Sequence, residues 1–194
     1  LWARSPEAAE NLRATRENRR YLPGVALPPT MAITARLDEA LTGARFVVLA
    51  VPSQAVRQVA RLMHPLLHNQ AILISTAKGL EQGTYYRMSE VLVEELPGFK
   101  SRIAVLSGPS HAEEVARQLP TAVVVSSYSR ATAETVQDLF MNTAFRVYTN
   151  PDIIGVELGG ALKNIIALAT GIADGLGFGD NTRAALMTRG AVEI

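Results

Sequence analysis

Five short apolar runs punctuate the first 150 residues: Phe46–Val51, Ala71–Ser75, Ile103–Ser107, Ala122–Ser126 and Phe145–Tyr148. The first four are almost unbroken in apolar character, as strands covered on both faces are. Between them the period changes. In Ser53–Leu67 the apolar residues Ala55, Val56, Val59, Ala60, Met63 and Leu67 recur at helical spacing, and Tyr86–Leu96 repeats the pattern with Met88, Val91 and Leu92. This alternation predicts an α/β fold built on a parallel sheet. Ser5 before Pro6 marks the start of an earlier helix, and Ser110 with Glu113 forms an S-x-x-E box predicting a helix behind Gly108-Pro109. From Asp152 onward the pattern is helical only, over Ile153–Leu176 and from Asn181 to the end. A boundary is expected at the turn dipeptide Asn150-Pro151. It separates a Rossmann-like, doubly wound domain over residues 1–150 from the start of an all-helical domain over 151–194.

Composition narrows the function classes. Nineteen basic and eighteen acidic residues leave a net charge of +1, so neither nucleic acid nor an anionic membrane is an expected partner, and any anion site must be local. The chain has no cysteine, hence no disulfide framework and no thiolate ligands, and its three histidines lack a metal-ligand spacing. His64 and His68 lie four apart in the expected helix and read as a surface pair; His111 reads as exposed. A cytoplasmic setting fits. The long apolar stretch from Ile153 to Phe178 carries Glu157, Lys163 and Asp174, so it reads as a buried helix and not a membrane span. The opening Leu1-Trp2-Ala3-Arg4 shows neither an initiator Met nor a signal-peptide layout, which suggests a longer parent chain.

In an open α/β sheet, ligands bind beyond the carboxyl ends of the strands. Three segments occupy such positions: Pro52-Ser53, Thr76-Ala77-Lys78-Gly79 and Gly108-Pro109-Ser110-His111. Lys78 is either a point charge for an anionic substrate or a solvated loop lysine. Ser110 is first a helix cap, and a capped helix N-terminus also suits a phosphate or carboxylate. Lys163 stands in a helix made mostly of Val, Leu, Ile, Gly and Ala, sharing a face with Ala167, Gly171 and Asp174. Burial would ready it for proton transfer; the alternative is a lysine snorkelling from a packed helix. Arg4 follows the end of an expected earlier strand, where an arginine accommodates a ribose 2′-phosphate. An exposed arginine at a helix start is the other reading.

Taken together, Leu1-Trp2-Ala3-Arg4, Val51-Pro52-Ser53, Ala77-Lys78-Gly79-Leu80-Glu81, Ser107-Gly108-Pro109-Ser110, Asn150-Pro151-Asp152 and Gly155 to Asn164 resemble bacterial-type glycerol-3-phosphate dehydrogenase in order and spacing. Gly175 to Leu186, with Arg189-Gly190, is similar to that family's signature segment. The resemblance implies an NAD(P)-dependent oxidoreductase that interconverts dihydroxyacetone phosphate and sn-glycerol 3-phosphate for glycerophospholipid precursors. It implies that Lys163 is the catalytic acid and base, beside Asn164. Lys78 would contact substrate and cofactor, Gly108 and Ser110 substrate, and Arg4 and Ala112 the cofactor. NADPH is slightly preferred to NADH on the strength of Arg4, and the full-length protein is expected to be a homodimer. The family's opening strand and glycine loop G-x-G-x-x-G do not appear among these residues. Two rivals stand beside this reading: a related β-hydroxyacid dehydrogenase, and a scaffold that binds no dinucleotide.

Overall fold

The computed structural model describes residues 1–194. The elements in chain order are α1 (Pro6–Thr15), β1 (Glu17–Asn18), β2 (Leu22–Ala26), α2 (Leu37–Leu41), β3 (Phe46–Leu49), α3 (Val56–Met63), β4 (Ile72–Ser75), α4 (Met88–Glu95), β5 (Ile103–Ser107), α5 (Ala112–Ala116), β6 (Thr121–Ser127), α6 (Arg130–Phe140), β7 (Phe145–Thr149), α7 (Ile153–Gly175) and α8 (Asp180–Glu193). Strands β3 to β7 form one sheet in sequential order; β1 and β2 make a separate antiparallel hairpin that the apolar pattern did not signal.

Successive residues of a strand face opposite ways, and here both faces are covered. Leu73 and Ile103 pack with Val56, Val59 and Met63 of α3 and with Val91 and Leu92 of α4. Their neighbours Ile74 and Ala104 pack with Ala133 and Val136 of α6. That is why these strands read as unbroken apolar runs. Ser5 caps α1 as expected, accepting a hydrogen bond from the Ala8 N–H.

The all-parallel expectation needs correction at one place. Strands β3, β4 and β5 are mutually parallel and so are β6 and β7, but β5 pairs antiparallel with β6. The cause lies in the connection. Helix α5 has only five residues, about 7.5 Å of rise, too short to carry the chain back along β5, so it re-enters the sheet from the same end. The helix expected over Ser53–Leu67 is also interrupted. It opens and closes with 3-10 turns around α3, and Pro65, which has no N–H to donate, stands in the closing turn. His64 and His68 therefore do not share an α-helix.

The loop after β4 is tied down by charge. The Arg57 guanidinium of α3 donates to both Glu81 oxygens, at 2.7 and 2.8 Å, to Glu94 at 2.8 Å and to Glu95. Arg61 adds a bond to Glu95 at 2.8 Å. Arg57, with Thr84 assisting, holds the Glu81 carboxyl down at about 2. A carboxylate with a depressed folded pKa contributes stability that is present above its ordinary value of 4.5 and is lost as pH falls toward 2. Arg57→Ala should cost about 1–2 kcal/mol at pH 7, between the values for exposed and buried pairs. Urea unfolding of both proteins should show that gap narrowing between pH 4.5 and pH 2. A gap independent of pH would mean that Arg57 acts only through packing.

Candidate functional site

The carboxyl ends of β4 and β5 open beside the N-terminal half of α7, and glycine makes both approaches feasible. Gly79 has φ +130°, and a Cβ there would lie 3.0 Å from the Ser53 hydroxyl. Gly108 has φ +149°, and a Cβ would meet the Val123 backbone at 2.9 Å. Side-chain-bearing residues are strained at such angles, so these two turns favour glycine. Between them the loop following β4 is anchored by Gln54, whose amide donates to Leu80 O at 2.8 Å and accepts from the Gln82 N–H at 2.9 Å.

Lys78 and Lys163 line one cleft of about 530 Å³ with Ser110 and Ala112; Pro109, His111, Glu113 and Glu114 complete its wall. The Lys78 ammonium donates to the Gly108 carbonyl at 2.9 Å, which ties the β4 loop to the β5 loop. Though Lys78 is partly exposed, its ammonium is held below the ordinary lysine range. Desolvation is the largest cause, followed by the charge of Lys163 and contact with it. Five of the six expected site residues thus converge: Lys163, Lys78, Gly108, Ser110 and Ala112. Arg4 does not line the cleft. It is exposed at the end of a short strand segment in which Trp2 bridges Thr34, directly before the Ser5 cap.

Two local expectations are corrected. Helix α5 starts at Ala112, with His111 at its N-cap and no side-chain cap bond, so Ser110 is not a cap. It stands one residue too early, in the turn that Gly108 and Pro109 create. His111 is exposed, as expected, with Nδ1 3.1 Å from Glu113. Lys163 is exposed, not buried, because it lies on the part of α7 that borders the open cleft, while other parts of the helix pack on β5, β6 and α8. A further groove of about 570 Å³ is lined only by α7 and α8.

The sequence reading assigned no role to Glu157, Arg87 or Ser89, which fasten α7 in place. Glu157 is buried. It accepts from the Ser89 N–H at 2.8 Å, from Arg87 at 2.7 Å and from the Ser89 hydroxyl. A carboxylate inside an apolar helical run was the available signal, since such a charge must be paired. Its partners, 68 and 70 residues away, carried none.

What this arrangement can do follows from its parts: two amines, a free serine hydroxyl and a glycine-rich strand end suit an anionic small molecule that gains or loses a proton. Comparison with known proteins agrees. Residues 1–133 match the family model for the N-terminus of NAD-dependent glycerol-3-phosphate dehydrogenase, and residues 152–194 match its C-terminus. A glycerol-3-phosphate dehydrogenase (NAD(P)+) of Moorella thermoacetica is 66% identical over the whole chain, which covers 57% of that relative. One from Pelotomaculum thermopropionicum is 60% identical, again over the whole chain and 56% of the relative. The crystal structure of glycerol-3-phosphate dehydrogenase from Coxiella burnetii superposes with a TM-score of 0.89 at 40% identity, over all of this chain and 58% of that one. The chain therefore spans a little over half the length of these relatives.

The lowered Lys78 pKa sets a pH dependence. Lys78 is charged below that pKa and neutral above it, so anion affinity should fall as pH rises through it. Titration with sulfate, whose charge is constant above pH 4, should show this weakening, and Lys78→Met should flatten the profile. An unchanged profile in that variant would remove Lys78 from anion binding.

Proposed function

This chain belongs to the NAD-dependent glycerol-3-phosphate dehydrogenase family, and from that premise we propose that its protein interconverts dihydroxyacetone phosphate and sn-glycerol 3-phosphate with NAD(P)H or NAD(P)+. The observation that carries this reading is the convergence of Lys78 and Lys163 with Ser110 in one cleft at the ends of β4 and β5. Lys78 and Ala112 in the cleft, with the Arg4 guanidinium beside the first strand segment, would hold the dinucleotide. When bound, the dinucleotide supplies or accepts the hydride at C2 of the substrate.

The two cations attract the substrate phosphate, and Ser110 and the Gly108 turn orient the three-carbon body. As dihydroxyacetone phosphate is reduced, negative charge grows on its C2 oxygen. Lys163 neutralises that charge and delivers the proton; in the reverse direction it accepts the proton. Its place on a rigid helix holds the amine at a constant position, which is where the rate advantage of pre-ordered groups arises.

The remaining parts of the reading follow. Residues 1–150 serve the dinucleotide and residues 151–194 begin the substrate domain. The setting is cytoplasmic, the product feeds glycerophospholipid precursors, and the full-length protein is a homodimer. Helix α7 has 23 residues and is apolar enough to cross a membrane by length and composition. The expected buried helix is corrected, since only Ile153, Glu157 and Ala173 of it are buried, and the ion pair of Glu157 with Arg87 supports packing of its N-terminal part within the protein. The β-hydroxyacid and scaffold alternatives are not favoured, since the relatives at 53–66% identity share one name.

In the full-length protein, Lys163→Ala should lower kcat on the order of 10²–10⁴-fold while KM changes little, followed by NAD(P)H absorbance. Near-normal turnover in that variant would take Lys163 out of the mechanism; turnover of a phosphate-free hydroxyacid alone would overturn the substrate. Cofactor choice tests Arg4 separately. A charge-assisted contact of roughly 1.5–3 kcal/mol, reduced by solvent screening, should give a modest NADPH preference that Arg4→Ala abolishes. A ratio of kcat/KM values left unchanged by the substitution would make Arg4 a surface residue.

A further inference from the structure

Helix α4 begins at Met88, and its first N–H groups have no partner within the helix. One of them, on Ser89, is satisfied by Glu157 of α7, at 2.8 Å. The other oxygen of the same carboxylate accepts from the Arg87 guanidinium at 2.7 Å and from the Ser89 hydroxyl, which in turn lies 3.3 Å from the Tyr128 hydroxyl. Arg87 is itself fixed: its N–H donates to Glu90 at 2.9 Å, and its guanidinium pairs with Glu90 at 3.0 Å. Ser89 is fully buried, and the side chains of Glu157 and Arg87 are 6% and 12% exposed. So Glu157 is a carboxylate cap delivered to α4 from a distant helix, at the end where the helix dipole favours negative charge.

This clamp lies six residues before Lys163, about 9 Å along the axis of α7. Midway between them, Gly160 faces Ser107 at the end of β5 so closely that a Cβ would lie 2.5 Å from the serine hydroxyl. A helix held at two such points has little freedom to rotate or slide, and Lys163 is carried on its next turn. Lys78, by contrast, is placed by the sheet. The relation between the two amines is therefore fixed through the clamp.

We propose that Glu157 is a positioning residue: with Arg87 and Ser89 it sets the rotation and height of α7, and so aims Lys163 at the substrate held by Lys78. It touches no substrate. The proposal rests on the reading of Lys163 as the acid and base.

The test uses the full-length protein with dihydroxyacetone phosphate and NADPH. Glu157→Ala should lower kcat by about 10–100-fold, the scale of a displacement near 1 Å, with NADPH affinity held within about twofold. Glu157→Gln keeps an acceptor for the Ser89 N–H but not the charge, and should recover part of the loss. Arg87→Met should lower kcat comparably, and combining it with Glu157→Gln should add little, since each already breaks the same pair. If Glu157→Ala does not fold, the Gln variant and the cycle with Arg87 decide. Turnover of the Glu157 variants within twofold of wild type overturns the proposal. So does a fall in kcat matched by an equal loss of NADPH affinity, which marks general damage. A wild-type protein that binds NADPH but does not reduce dihydroxyacetone phosphate would instead overturn the functional reading. In that event the crystal structure of Glu157→Gln decides: displacement of α7 relative to Lys78 supports the clamp, and an unmoved helix refutes it.

Discussion

Helix α7 is seated by one contact with the sheet that leaves no room for a side chain, Gly160 against Ser107, and by one buried carboxylate that has to be paired, Glu157 against the start of α4. The two constraints differ in kind. Close packing at a glycine limits how far the helix sits from β5, whereas the Glu157 bonds to Arg87 and Ser89 limit how it is turned. An unpaired carboxylate in that position would cost several kcal/mol, so the helix is not free to trade the clamp for a looser seat. Everything the cleft presents from α7 inherits its place from these two contacts.

The same division appears in the electrostatics. Lys78 comes from the loop after β4, braced by Arg57, Glu81 and Gln54, and Lys163 comes from α7. Neither amine neutralises the other. Each raises the potential at its neighbour, and Lys78 is pushed down in consequence, after the larger effect of desolvation. An anion entering between them would offset the repulsion of the two cations, which favours binding of a negative group in the cleft. The carboxylates of Glu113 and Glu114 line the same cleft from α5.

How much of this was legible along the chain depended on range. Strands β4 and β5 announced themselves because both their faces are covered, which leaves an unbroken apolar run, whereas the edge strands β3 and β7 keep exposed residues, Val48 in the first and Arg146, Tyr148 and Thr149 in the second. The hairpin β1–β2 left no such trace, since its residues are half-exposed and joined mainly by backbone bonds. The reversal between β5 and β6 was hidden for a different reason: apolar content does not encode strand direction, and only the five-residue length of α5 forces the turn back. Ser110 satisfied the spacing of a capping box, but the extended turn set by Gly108 and Pro109 delays the helix to Ala112.

Local chemistry in the sequence therefore determined the α/β alternation and the strand-end loops, because hydrophobic period and turn residues act within a few positions, while the family resemblance supplied the set of residues that converge in the cleft. Tertiary structure decided the rest. The exposure of Lys163, the carbonyl of Gly108 as the anchor of Lys78, the separation of Arg4 from the cleft and the fastening of α7 through Glu157 each depend on atoms far apart in the chain. Glu157 shows the reason most directly: a charge in an apolar helix signals that a partner must exist, but Arg87 and Ser89, 70 and 68 residues earlier, are selected only when the folded chain brings α4 against α7.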